Sequence, residues 1–196
     1  MKRIGLTGSI GAGKSTVARL LRDRGIRVLD ADVVARAVSN SKEVLEAVRE
    51  TFGTEFVLEN GLNRAKLATL VFQKPEARAQ LNAIIHPPVR TEMNRQQLEL
   101  EASGARVVVQ DIPLLFESKL EQLFDAVILV DAPLETRIAR VMARDGISRE
   151  AVLARDGTQM PASEKRKKAS VTLQNTGLES ELEVQLTSAL KKLEIE

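Results

Sequence analysis

The string Gly8-Ser9-Ile10-Gly11-Ala12-Gly13-Lys14-Ser15 limits what this chain can fold into more than any other part of it. It satisfies G-x-x-x-x-G-K-[ST] at every fixed position. It also lies between a short apolar segment, Arg3–Thr7, and a segment of helical periodicity, Lys14–Arg24. Glycine at 8, 11 and 13 lets the backbone turn its N–H groups inward without a Cβ in the way, and a helix opening at Lys14 adds partial positive charge at the same place. The pattern is a polyphosphate cradle, with Lys14 reaching the β- and γ-phosphates, the Ser15 hydroxyl holding Mg²⁺ and Thr16 adding a bond to the α-phosphate. Gly25 stops the helix and Arg27–Leu29 is apolar again, so the chain opens as strand, loop, helix, strand.

The remainder reads as one α/β unit with insertions. The spacing predicts a helix over Asp32–Val38 and another near Lys42–Glu50, capped by Ser41. From there to about Ser103 the pattern is helical with no well-alternating strand, and Pro87-Pro88 is expected to end a helix. Arg106–Gln110 and Ala126–Val130 are β-branched runs of the length found in strands buried on both faces of a parallel sheet. Pro133 opens a helix to about Arg144, residues 145–168 are polar, Val171–Leu173 is a last strand, and Leu182, Leu186, Leu190 and Leu193 stripe a closing helix.

Composition bounds the function. The 196 residues carry 29 Lys and Arg against 27 Asp and Glu, a net charge of +2, which fits neither a polyanion-coating protein nor an acidic tail. Aromatics at 3%, all Phe, leave few platforms for stacking single-stranded nucleic acid. No apolar run is long enough to cross a bilayer, and Met1-Lys2-Arg3 leads into no apolar signal core. The absence of Cys leaves no thiolate metal site, and the single histidine, His86, argues against most zinc chemistry. The expectation is a cytoplasmic protein, a monomer or weak oligomer, with neither nucleic-acid nor membrane partners.

A phosphate cradle does not say what the phosphate is for. The chain has no N-K-x-D string for a guanine base, no D-x-x-G switch after the second strand, and no strand ending in Asp-Glu. That places transfer to a small acceptor ahead of GTPase or mechanical ATPase. Asp30 and Asp32 follow the second strand at its C-terminal end, where α/β sheets place ligands, so either can take a proton from an acceptor hydroxyl or cap the next helix. Asp111 ends the Val107–Val109 strand, as a crevice carboxylate toward substrate and Mg²⁺ or as a turn residue. His86 is either a helix-end dipole partner or a ligand contact. Arg137, Arg140 and Arg144 recur on one helix face, as phosphate-facing guanidiniums or as a solvated stripe. The segment 145–168, with Arg155 and Gln159, has the polarity of a lid.

Taken in order, these features resemble the dephospho-CoA kinase family from about Lys2 to Leu190. Gly5-Leu6-Thr7-Gly8 through Thr16 is similar to its opening loop, and Asp30-Ala31-Asp32 to its D-A-D. Phe52-Gly53, Gly61-Leu62-Asn63-Arg64, Leu67 and Val71-Phe72 resemble further signatures, as do Leu81-Asn82 to His86-Pro87 and Asp111-Ile112-Pro113-Leu114-Leu115-Phe116-Glu117. Gln159 and Asn175-Thr176-Gly177 fall where its lid glutamine and terminal N-x-G stand.

The resemblance implies ATP and dephospho-CoA as substrates and transfer of the γ-phosphate to the ribose 3′-hydroxyl. It implies a P-loop NTPase three-layer α/β/α fold with five parallel strands, a core of about 1–31, 104–139 and 169–196, a helical CoA-side insertion over 32–103 and a lid over 140–168. Asp32 becomes the base, Lys14 and Arg140 the charge stabilisers, and Asp30, Arg64, His86 and Asp111 substrate-side residues. Gly8, Gly11, Ala12, Gly13, Lys14, Ser15, Thr16 and Asn175 hold the nucleotide. Alternatives left standing are another P-loop kinase of a nucleotide or small metabolite, and a nucleotide-dependent regulatory protein. Two positions depart from the family: Ala169-Ser170 stands for its A-D, and Arg155-Asp156-Gly157-Thr158-Gln159 for its R-I-x-x-Q, where Asp-Gly should loosen a helix turn.

Overall fold

The computed structural model describes residues 1–195. In chain order the elements are β1 (Lys2–Gly8), α1 (Lys14–Asp23), β2 (Arg27–Asp30), α2 (Ala31–Val38), α3 (Lys42–Phe52), β3 (Val57–Leu58), β4 (Gly61–Leu62), α4 (Arg64–Gln73) and α5 (Pro75–Ala102). They continue as β5 (Val107–Asp111), β6 (Ala126–Asp131), α6 (Leu134–Asp145), α7 (Arg149–Asp156), α8 (Ala162–Lys168), β7 (Val171–Gln174) and α9 (Glu179–Lys192). Two compact units result: Met1–Leu29 with the chain from Leu100 onward, and Asp30–Glu99.

The first unit is built on a five-stranded parallel sheet in the order β2-β5-β1-β6-β7. Alternation along β1 sends Ile4 and Leu6 to one face, where they meet Val17, Leu20 and Leu21 of α1 and Leu182, Leu186 and Leu190 of α9. Residues after β5 and before β7 cover the other face, where Leu115 and Phe116 pack on Val127 with Met160 and Ala169. β6 is buried at every position, as a central parallel strand requires. The order places β1, and so the loop after it, between β5 and β6.

Ser170, just before the last strand, supplies a hydrogen-bonding side chain to the neighbouring strand. Ser170 Oγ accepts from the Val127 N–H at 3.0 Å, while the Ser170 N–H donates to the Val127 carbonyl at 2.9 Å. A hydroxyl is enough here because the β7 edge asks for one acceptor, not a charge.

In the second unit Val44, Val48, Phe56, Leu62 and Leu67 form a separate apolar cluster with Leu81, Ile84 and Ile85. Two expectations are corrected there. A two-stranded antiparallel hairpin, β3–β4, interrupts the helices, with Val57 facing Leu62 and Leu58 facing Gly61. Strands of two residues are too short for alternation to register in sequence. Pro87-Pro88 does not end a helix but lies inside α5, 28 residues long. Each proline removes one N–H, so the carbonyls of Ala83 and Ile84 lose their intrahelical partners, a local cost of about 3 kcal/mol. Packing of Leu81, Ile84 and Ile85 on the apolar cluster holds that turn.

Candidate active site

The loop after β1 has the backbone its glycines allow. Gly11 and Gly13 have φ of +77° and +92°, and the Ala12 N–H closes a turn on the Ser9 carbonyl at 3.0 Å. Gly13 is the N-cap of α1, so the N–H groups of Lys14 and Ser15 have no intrahelical acceptor and face outward at the helix start, whereas the Thr16 N–H already donates to the Gly13 carbonyl at 3.1 Å. Ser15 lies in this first turn with its side chain exposed. Lys14 Nζ forms an ion pair with Asp111, whose side chain is 4% exposed at the end of β5. Asp111 therefore stands against the loop lysine.

Arg140 and Asn175 close on the loop from behind. Asn175 Nδ2 donates to the Ala12 carbonyl at 2.9 Å, and Arg140 donates from Nη1 to the Gly11 carbonyl at 3.5 Å and from Nη2 to Asn175 Oδ1 at 3.2 Å. Both residues thus hold loop carbonyls, so those carbonyls are turned away from the N–H groups of Lys14 and Ser15. Gly13→Ala is expected to weaken ATP binding by about tenfold or more, because left-handed backbone disfavours a Cβ and the added atom would lie 2.1 Å from Asn175 Nδ2. An ATP titration of the folded variant checks it.

The arginine stripe of α6 is not uniformly solvated. Arg137 is buried, Arg140 half-buried, and Arg144 exposed beside Asp145. The basic run 165–168 is likewise not uniformly solvated: Lys165 is fully buried and lies 2.9 Å from Glu117, while the other three are exposed, Arg166 pairing with Asp131 at 2.5 Å. Glu117 also accepts from the Met160 N–H at 2.8 Å. Two ion pairs thus seat α8 on the sheet side of the unit. In sequence Lys165 looks like its neighbours, and only the placement of Glu117 sets it apart. The Asp156-Gly157 departure ends α7 at Asp156, and the turn tightens through Gln159 N–H on the Asp156 carbonyl at 2.9 Å.

The second unit carries the other candidates. Asp30 is the N-cap of α2, its Oδ1 accepting from the N–H of Asp32 at 2.9 Å and of Val33 at 3.1 Å. Asp32 is exposed in the first turn, and its carboxylate has no hydrogen-bond or ion-pair partner among the described residues. Arg64 opens α4 and donates to the Arg36 carbonyl at 3.5 Å. His86 stands inside α5 rather than at a helix end, which removes the dipole role. Desolvation by its surroundings, and then the charge of Arg90 one turn on, lower its pKa.

The folded state therefore favours neutral imidazole at position 86. Its contribution to stability is present above the unfolded value of about 6.5 and lost as pH falls below it. Melting temperatures from pH 7.5 to 5 should fall more steeply for the wild type than for His86→Gln.

Comparison with known proteins decides the family. The dephospho-CoA kinase family model matches residues 2–181. The chain belongs to the dephospho-CoA kinase family. A dephospho-CoA kinase of Deinococcus radiodurans is 54% identical over 99% of this chain and 93% of its own length. One from Bacillus anthracis is 46% identical over 98% and 97%. Among solved structures, a Thermus thermophilus protein superposes with a TM-score of 0.87 at 46% identity, covering 98% of this chain and 97% of its own. The dephospho-CoA kinase of Campylobacter jejuni gives 0.73 at 29% identity, covering 98% of each chain. The family's phosphate loop is intact here at every fixed position.

Proposed function

We propose that this chain transfers the γ-phosphoryl group of ATP to the ribose 3′-hydroxyl of dephospho-CoA, giving coenzyme A and ADP as the last step of coenzyme A formation. The observation that carries the reading is the family match over residues 2–181, together with a loop whose carbonyls are tied back and whose Lys14 and Ser15 N–H groups have no intrahelical acceptor.

A bond forms between the 3′-oxygen and the γ-phosphorus, the bond from γ-phosphorus to the β,γ-bridging oxygen breaks, and ADP leaves. Little covalent work falls to the protein, so its residues position and stabilise charge. Lys14 moves from Asp111 to the β- and γ-phosphates, because a polyphosphate outbids a single carboxylate for one ammonium group. Arg140 and Asn175 hold the loop, and Arg140 adds charge as the phosphoryl group transfers. Asp32 takes the hydroxyl proton. Asp30, Arg64 and His86 serve the acceptor.

Mg²⁺ suits the donors present. Ser15 and Asp111 offer hard oxygen ligands, and no cluster of three or more His, Cys, Asp or Glu exists among the described residues, as befits an ion held largely by phosphates and water. When bound, it neutralises charge on the β- and γ-oxygens. No helix among the described residues is long and apolar enough to cross a membrane, and we place the reaction in the cytoplasm, carried out by a monomer or weak oligomer.

ADP release measured with and without dephospho-CoA tests this directly. Strong stimulation, with the new phosphate on the 3′-oxygen, is expected. Stimulation only by other nucleotides or metabolites would indicate a different kinase, and nucleotide binding without acceptor-stimulated release a regulatory protein.

A further inference from the structure

Position 10 is one of the free positions of the phosphate-loop motif, yet here three elements converge on it. The Ile10 side chain packs on Ile138 and Val141 of α6 and Val152 of α7. Its N–H donates to Gln159 Oε1 at 3.1 Å, three residues past the end of α7. Its carbonyl accepts from Arg137 Nη1 at 3.4 Å. Arg137 is 5% exposed, donates from Nε to the Ala132 carbonyl at 3.1 Å, and through the same Nη1 is ion-paired with Asp156, the last residue of α7. Asp156 is the first residue of the Asp-Gly that departs from the sequence the family resemblance leads one to expect at this helix end, so the linkage uses a residue the resemblance does not assign.

A buried guanidinium needs a counter-charge, and any nearby carboxylate could supply one. The location of this carboxylate, on the lid helix, is what gives the pair meaning, because the other bond of the same guanidinium nitrogen reaches the loop. The peptide joining Ile10 to Gly11 is planar and trans, so a carbonyl fixed toward Arg137 sends the Gly11 N–H to the opposite side, away from α6. Gly11 cannot relieve a misplaced peptide by shifting toward α6, since a Cβ there would already be 2.5 Å from the Arg137 carbonyl.

We propose that Arg137 and Asp156 are a positioning pair that couples the lid helix α7 to the phosphate loop, setting the Ile10–Gly11 peptide for ATP. The proposal rests on nucleotide binding at this loop but not on the identity of the acceptor.

Asp156→Asn keeps the size of the side chain and removes its charge, while Asp156→Glu keeps the charge. ATP affinity, measured by equilibrium titration without acceptor, should fall by about tenfold in Asp156→Asn, the loss typical of one charge-assisted hydrogen bond. The KM for ATP should rise by the same factor, with kcat and the KM for dephospho-CoA within about twofold, and Asp156→Glu should recover most of the affinity. In an Arg137→Lys background, adding Asp156→Asn should cost little more, because the pair acts as one unit. ATP affinity of Asp156→Asn within about twofold of wild type would overturn the coupling. Equal loss in Asp156→Asn and Asp156→Glu, with a lowered Tm in both, would overturn it in favour of simple packing. Because ATP binding is read without acceptor, failure here is distinct from absence of dephospho-CoA turnover.

Discussion

Lys14→Ala is expected to weaken ATP binding by about tenfold to a hundredfold and to lower kcat by a further 10² to 10³, roughly the effects of losing a charge-assisted contact and a charge-stabilising donor. The two losses have one cause seen at two stages. In the structure the Lys14 ammonium is paired with the nearly buried Asp111 carboxylate rather than free in solvent. Binding a polyphosphate exchanges that partner for a more highly charged one, and the transition state, with charge spread over the γ-oxygens, strengthens the contact again.

Asp111→Asn provides the contrast. It frees Lys14 from its resting partner, so ATP affinity should hold or rise slightly, while turnover falls if the carboxylate helps to hold Mg²⁺. Titration of ATP against both variants, with kcat beside it, separates the roles. Equal loss of affinity in both would mean that Asp111 binds nucleotide through something other than Lys14. Wild-type rates in Lys14→Ala would contradict the phosphate-loop assignment.

The parts of this molecule legible in sequence were those fixed by residue type over a short span. The phosphate loop needs glycine where φ is positive and lysine at one place, so Gly11, Gly13 and Lys14 announce it without tertiary help. β6 and the α9 stripe were legible because burial imposes a pattern on consecutive residues. Pro87-Pro88 misled because the rule against internal proline is local, whereas the packing that sustains α5 comes from residues elsewhere in its unit. Lys165 was hidden in a basic run because its partner, Glu117, lies far away in sequence. The resemblance implies Arg140 as a charge stabiliser, Gln159 as a lid glutamine and Asn175 as a nucleotide residue, but that their bonds go to the carbonyls of Gly11 and Ala12 and the N–H of Ile10 is a fact of geometry that no spacing encodes. Between Asp30 and Asp32 the sequence left capping and catalysis open, and the structure assigns the cap to Asp30.

That assignment sharpens the second large expectation. Asp32→Asn should leave ATP affinity within a few-fold of wild type and lower kcat by about 10² to 10⁴, the range for a lost general base. Asp30 already satisfies the backbone N–H groups of Asp32 and Val33, so the Asp32 carboxylate has no structural duty among the described residues and is free to accept a proton. The substitution is nearly isosteric, sits on an exposed first turn and leaves the cap in place, so α2 should persist and the Tm should barely move. Asp30→Asn is the matched control: asparagine caps about as well as aspartate, so stability should hold, and kcat should fall far less than in Asp32→Asn. If Asp30→Asn proved the more damaging of the two in turnover at unchanged Tm, the roles would have to be exchanged. Unchanged kcat in Asp32→Asn would remove Asp32 from proton transfer and leave orientation and charge at Lys14 and Arg140 to carry the rate, a division of labour that phosphoryl transfer permits but that this free carboxylate argues against.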